Sequence, residues 1–433
     1  MLNQTRQLPF NTFYVRNLIR VLSDVDWWLV LATSFLIFVG LTALKHSGQA
    51  GDFYAKQIDF IWAGLVALLV FWRIPYYFWT HKHVVPALYG INLGLLVAVM
   101  MWGHAALGAQ RWLALGPIRL QPSEIAKLVV IFTLAAWLRN RPIKSFWDNL
   151  KVLALIAPPA FLVFKQPDLG TSLTFGAIYF GVIFWAGATL SDVVVLLSPA
   201  VSLVLNAVDL SWWLVYLFIL TVWLAFFWRR KNWNVFLRIA MTFVVVTANY
   251  GIGEARPHLW GMLKEYQQKR LTSFVNPYED PRGSGYHILQ SLIAIGSGGV
   301  QGAGLGRGNQ SQGAFIPERH TDFIFAVVGE EMGFKTTLLI VLAYATICLR
   351  ALIIAFQSRE ERGGSVLAVG IMSMFLFHVF LNIGMTMGIM PVAGVPLPFL
   401  SYGGTALIVD LIAIGLLQSI RTLNPPPKED IWQ

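Results

Sequence analysis

Long apolar runs, broken by short polar connectors, dominate this chain. A helix that crosses a bilayer needs about 20 mostly apolar residues. Runs of that kind fall at 27–45, 57–73, 86–103, 123–138, 150–165, 169–187, 190–207, 211–228, 236–253, 321–349, 365–388 and 404–420. The pattern predicts an all-α, polytopic transmembrane helix bundle of about twelve spans. Only Val208-Asp209-Leu210 separates two of the runs, which predicts a tight helical hairpin there. The pattern stops between 254 and 320, where glycines, amides, acids and bases replace the apolar residues. The expected organisation is a single membrane domain over 1–433 with a large extracytoplasmic loop at 254–320.

Composition agrees with the periodicity. The 433 residues are 56% hydrophobic and only 12% charged, against about 25% charged in a soluble domain. The net charge of +10 does not point to nucleic acid, because the basic residues sit mostly in short connectors, where orientation in the bilayer accounts for them. Arg6, Arg16, Arg20, Arg73, Lys82, Arg139, Arg141, Lys144, Lys151, Arg229, Arg230, Lys231, Arg238, Arg350, Arg359, Arg362, Arg421 and Lys428 fall on one side, and Lys45, Lys56, Arg111, Arg119 and Lys165 on the other. That asymmetry predicts cytoplasmic N- and C-termini and puts the 254–320 loop outside. The loop is itself basic (Arg256, Lys264, Lys269, Arg270, Arg282, Arg307 and Arg319), which suits an anionic ligand. No A-x-A-like cleavage site follows the first apolar run, so the first helix is expected to be retained. The lone Cys348 excludes an intramolecular disulfide and a cysteine zinc cluster. Walker-type GKS/T, HExxH and CxxC patterns are absent, leaving ATP-driven pumping and simple zinc chemistry without support.

Ionisable residues at helix depth are costly and usually face protein or water. Glu124 and Lys127 share a helix face at i and i+3, just after Pro122-Ser123. They are either an intrahelical ion pair or, with the free N–H groups of an outward helix start, a phosphate holder. Arg111 beside Trp112 reads as an interfacial anchor or a ligand contact, and Asp168 as a helix N-cap or part of an outer site. In the large loop, Asp280 precedes Pro281 and the flexible Gly283 and Gly285. It is a turn-former or a general base held at the membrane surface. Glu318, Arg319, His320 and Asp322 cap the next helix or join the site, while His287 and His320 lack metal-ligand spacing. Glu330 and Glu331 lie two turns further on. The Pro/Gly-punctuated stretch 388–404, which carries Ser401, is either a stiff connector or the lining of a headgroup cavity.

Taken together these motifs resemble the SEDS family (shape, elongation, division and sporulation) of bacterial cell-wall polymerases. The resemblance is carried by Gly108-Ala109-Gln110-Arg111-Trp112, Gln121-Pro122-Ser123-Glu124-Ile125-Ala126-Lys127, Gln166-Pro167-Asp168-Leu169-Gly170-Thr171-Ser172, Asn276-Pro277 to Gln290-Ser291, Pro317-Glu318-Arg319-His320-Thr321-Asp322 and Pro396 to Gly404. Gly296-Ser297-Gly298-Gly299 and Gln310-Ser311-Gln312 are more similar to the elongation member than to the division member. The resemblance implies a SEDS-like core of about ten spans plus two, the surplus lying between Leu190 and Leu237. It implies a peptidoglycan glycosyltransferase that polymerises lipid II during cell elongation, with undecaprenyl pyrophosphate as leaving group. The family's proposed catalytic acid falls on Asp280. Arg111, Glu124, Lys127, Asp168, Glu318, His320 and Ser401 become substrate-binding candidates. No cofactor is implied with certainty; Glu124 and Asp168 leave room for a divalent cation. The expected partners are lipid II, a class B penicillin-binding protein transpeptidase, the elongation machinery and the lipid bilayer of the bacterial inner membrane. A lipid II flippase and a non-catalytic scaffold for the transpeptidase are the competing functions.

Overall fold

The computed structural model describes residues 25–46, 50–106, 109–115, 118–228, 234–275, 284–313, 315–316 and 318–422. A helix occupies each of the twelve predicted stretches: α1 Trp27–His46, α2 Ala50–Arg73, then after a single turn α3 Tyr76–Trp79, α4 Val84–Trp102, α5 Pro122–Arg139, α6 Phe146–Lys165, α7 Leu169–Trp185, α8 Leu190–Val208, α9 Leu210–Phe227 and α10 Val235–Glu254. Four shorter helices follow in the polar loop: α11 Arg256–Met262, α12 Glu265–Val275, α13 Ser284–Gly298 and α14 Asn309–Gln312. The chain ends with α15 Ile324–Gln357, α16 Arg362–Thr386 and α17 Gly404–Thr422. Among the described residues ten helices are long and apolar enough to cross a membrane. The two that fall short do so for different reasons. Helix α7 has only 17 residues, and α5 carries Glu124, Lys127 and Arg139 within its 18.

One stretch departs from an all-helical expectation. Residues 104–120 form a small antiparallel meander, β1 His104–Ala106, β2 Ala109–Leu115 and β3 Ile118–Leu120. Its segments are too short for a stable helix, and Gly108 and Gly116-Pro117 separate them in the sequence. Trp112 pairs with His104, and Leu113 with Leu120. Arg111 is the extra residue where this register shifts, between the paired Gln110 and Trp112.

The centre of the bundle is built from the helices that are buried nearly all round. Fourteen of the eighteen residues of α5 are buried, and α16 and α17 are similarly enclosed. A helix surrounded on all sides must itself carry few polar groups or satisfy them internally. Around this centre α2 lies along α17, α7 along α16 and α1 along α15. At the end that the charge pattern marks as cytoplasmic, Asp26 clamps two distant helices. Its carboxylate accepts from Arg350 (Nη2 at 2.6 Å) and Arg421 (2.5 Å), and its backbone exchanges two hydrogen bonds with Gln418.

Helices α8, α9 and α10 pack mainly on one another. The predicted hairpin is present, and Asp209 alone makes its corner by accepting from the Ser211 and Trp212 N–H groups. Ser202 joins all three helices: it receives the Trp213 indole at 2.7 Å and donates to the Asn249 carbonyl at 2.8 Å. Wide apolar faces of α9 and α10 are left exposed, including Phe218, Ile219, Phe236 and Phe243, as lipid-facing helices require.

Candidate active site

The opposite end of the bundle gathers the predicted site residues. Asp168 caps α7, accepting from the Thr171 N–H at 3.2 Å and its hydroxyl at 3.0 Å. Arg111 approaches Oδ1 at 3.9 Å and donates to the Pro167 carbonyl, while Gln121 donates to Oδ2 at 3.4 Å. Arg111 Nε is buried and has no hydrogen-bond partner among the described residues. A buried donor of that kind is costly unless an anion or water meets it.

Beside this pair lies a cavity of about 50 Å³ lined by Arg270, His287, Glu318, Asp322, Phe323 and Val392. Its walls come from α12, α13, the turn before α15 and the Pro/Gly stretch. Burial raises the Asp322 carboxyl from the usual 3.8 to about 6, and the Arg270 charge opposes the rise. The charges of Arg111 and Asp168 also act on Asp322, so the two groups of residues form one electrostatic unit. Burial, and then Arg270, lower His287; burial lowers His320 as well. Both imidazoles are thereby biased toward the neutral form.

The Pro/Gly stretch is tied firmly to this end. Ser401 Oγ donates to the Thr321 carbonyl at 2.7 Å and accepts from the Leu397 N–H at 2.8 Å. Tyr402 N–H donates to the His320 carbonyl, and the His320 ring stacks on Phe53 with centroids 4.3 Å apart. Asn382 donates to the carbonyls of Asp322 and Val395. Ser401 and His320 therefore fix the floor of the site through contacts already made. Glu318 is exposed at the rim and lies in a left-handed backbone conformation (φ 48°).

Glu124 and Lys127 lie below that floor. Both are buried, and Lys127 Nζ sits 2.8 Å from Glu124 Oε2 and 3.3 Å from His378 Nε2. The ion-pair alternative is the geometry found, with His378 as a third member. Asp410 lies close enough for the charges of Lys127 and Glu124 to act on it.

Glu330 and Glu331 hold the glycine-rich segment after α13. Glu330 accepts from the Gln310 and Ser311 N–H groups at 2.7 and 2.8 Å. Glu331 accepts from the Ser311 hydroxyl at 2.7 Å and the Gly306 N–H at 3.1 Å. Gly333, at φ 73°, breaks α15 just beyond them. A Cβ there would lie 2.3 Å from the Gly302 nitrogen, so only glycine lets the two segments meet.

Asp280 lies outside the described residues. So do the basic residues of the first 24 positions. The helices on either side of the Asp280 segment, α12 and α13, both contribute to the small cavity, through Arg270 and His287. Sequence reasoning did not single out Arg270 or join His378 to Lys127. Each is one polar residue among many, and its partner is remote in the chain. The alternation of polar residues with Tyr266, Leu271 and Phe274 marks α12 as amphipathic but does not say what its buried edge meets. Among the described residues no cluster of three or more His, Cys, Asp or Glu side chains has metal-site geometry. Asp168 and Glu124, the residues considered for a cation, are engaged with Arg111 and Lys127.

The fold and this rim define a multi-pass membrane protein with a charged site at one end of its bundle. The chain belongs to the cell cycle protein family of FtsW, RodA and SpoVE, which matches residues 22–213 and 193–424. The two matches meet and overlap within α8 and α9, in the stretch where the sequence places the additional helices. The peptidoglycan glycosyltransferase MrdB of Escherichia coli K12 is 38% identical over 91% of this chain and 92% of its own length. The peptidoglycan glycosyltransferase RodA of Treponema pallidum is 33% identical over 93% of this chain and 99% of its own. Among solved structures, a chain of a peptidoglycan synthase complex that coordinates polymerization and crosslinking superposes with a TM-score of 0.68 at 29% identity, covering 92% of this chain and 97% of the other. RodA of Thermus thermophilus shares the fold, with a TM-score of 0.60 at 23% identity over 94% of this chain and 98% of the other.

Proposed function

We propose that this chain, an enzyme of the peptidoglycan glycosyltransferase class, polymerises lipid II into glycan strands during cell elongation, with Asp280 as general base. A hydroxyl of the acceptor sugar attacks C1 of the donor. The new C1–O bond forms as the bond to undecaprenyl pyrophosphate breaks, and the hydroxyl proton passes to the Asp280 carboxylate. A single base and direct displacement suit inversion at C1. The leaving pyrophosphate needs positive charge close by. Arg111, with its unpartnered buried Nε, and Arg270 across the small cavity are the groups suited to supply it. Lys127 contributes its charge from beneath the floor, with Glu124 setting its position, and Asp168 orients Arg111. Glu318 stands at the rim where an acceptor sugar would enter, while His320 and Ser401 hold the floor.

The observation that carries this reading is the cavity. Helices α12 and α13, which flank the segment bearing Asp280, bring Arg270 and His287 to the same recess as Glu318 and Asp322. The reading extends to a class B penicillin-binding protein as partner, supported by the likeness to a chain of a synthase complex. It also takes the inner membrane as the site of action, with both termini cytoplasmic, as the connector charges suggest. The test uses purified protein with its transpeptidase partner and labelled lipid II. Polymer that disappears in Asp280→Ala, with partner binding intact, is the expected result. Full polymerisation by that variant removes Asp280 as base, and lipid II movement without polymer indicates a flippase.

A further inference from the structure

At the other end of the bundle, remote from the charged rim, a cavity of about 390 Å³ opens between α5, α6 and their connector. Its apolar wall is Trp137, Leu138, Ile143 and Val152, and its charged lip is Arg141, Lys151 and Asp148. The Arg141 guanidinium lies 3.9 Å over the Trp137 ring. That stacking orients the cation and leaves its N–H edges directed away from the ring face. Asp148 cancels only part of the lip's charge. Its Oδ2 is taken by the start of α6, accepting from the Lys144 and Ser145 N–H groups and the Ser145 hydroxyl. Its Oδ1 meets Lys151 Nζ at 3.0 Å, and the Lys151 side chain remains 63% exposed. Asp148 is thus paired with Lys151, and Arg141 leaves the lip with a net positive charge.

We propose that this cavity binds the phosphodiester headgroup of an anionic membrane phospholipid. Three observations favour a lipid over a soluble phosphate. The cavity sits between the C-terminal end of α5 and the N-terminal end of α6, at the end that the connector charges assign to the cytoplasm. Five of its eight lining residues, Trp137, Leu138, Pro142, Ile143 and Val152, are apolar and suit a glycerol backbone and the first methylenes of an acyl chain. Trp147, next to the lip, is 63% exposed, as an indole at headgroup level would be. Basic recesses between helices on the cytoplasmic side are suited to such headgroups, and each cation near an anionic surface is worth about 1 kcal/mol.

Native mass spectrometry of the full-length protein in mixed micelles of phosphatidylglycerol and phosphatidylcholine tests this. The wild type should retain phosphatidylglycerol in preference to phosphatidylcholine. Arg141→Gln and Lys151→Gln should each weaken that retention roughly five-fold, and the double variant more than ten-fold. Arg141→Lys should recover part of it. Lys45→Gln, exposed at the end of α1, should change nothing. Equal retention of the two lipids by the wild type, which needs no variant, overturns the proposal. So does unchanged preference in a double variant that elutes as the wild type does. Glycerol 3-phosphate that displaces the lipid at equal concentration would assign the cavity to a soluble phosphate and also overturn it.

Discussion

Replacing Lys127 by Met removes one member of a buried ion pair. Lys127 is fully enclosed and 2.8 Å from Glu124, so Lys127→Met leaves a carboxylate in the middle of the bundle without its counter-charge. Removing one partner of a buried pair costs about 3–5 kcal/mol, mostly the penalty of stranding the other charge. The lost contact to His378 at 3.3 Å adds about 1 kcal/mol. Glu124→Gln with Lys127→Met leaves no charge behind, so the double variant should regain most of the loss. The two substitutions should couple by more than about 2 kcal/mol. Thermal unfolding in detergent, followed by tryptophan fluorescence, measures this cycle. Additive losses would refute the pair as a mutual partnership. Polymer synthesis separates stability from chemistry. A stable double variant that makes polymer assigns the pair a structural role, and one that makes none assigns Lys127's charge to the reaction.

Four further outcomes are expected. Glu330→Gln keeps the shape but cannot accept equally well from the Gln310 and Ser311 N–H groups. It should lower stability by about 1–3 kcal/mol and speed amide exchange in the 299–312 segment. Asp26→Ala strands Arg350 and Arg421; a drop in melting temperature larger than that of either single arginine variant is the expected reading. Gly170→Ala would put a Cβ 2.1 Å from Val395 Cγ2 and 2.8 Å from the Ala393 carbonyl. It should displace the Pro/Gly stretch and lower activity more than stability, measured as polymer yield against melting temperature. For Asp322, the folded-state value of about 6 lies above the usual 3.8, so the folded protein binds the extra proton between those pH values. Its contribution to stability is therefore complete below about 4 and is lost as pH rises to about 6. Asp322→Asn should flatten that slope in a pH series of melting temperatures, and an unchanged slope would exclude Asp322 as its source.

Helix placement was legible because bilayer thickness fixes how long an apolar run must be. Residue order alone therefore located all twelve stretches, and even the Asp209 corner, where a single capping carboxylate suffices. The strands at 104–120 were not legible, because each is shorter than the window in which a period can be read. The choice between ion pair and phosphate holder for Glu124 and Lys127 also lay beyond the sequence. Spacing put them on one face, but only the neighbours of α5 decided that this face is buried against His378 of α16.

The same division holds for the site. Local order determined the N-cap at Asp168, the helix start at Pro122 and the polar character of the loop, since each depends on a few adjacent residues. The tertiary structure alone decided that Arg111 meets Asp168, that Arg270 and His287 share a recess with Asp322, and that Ser401 spends its hydroxyl on Thr321. Those pairings join segments far apart in the chain. Nothing in the spacing of residues encodes them; they follow from which helices pack side by side.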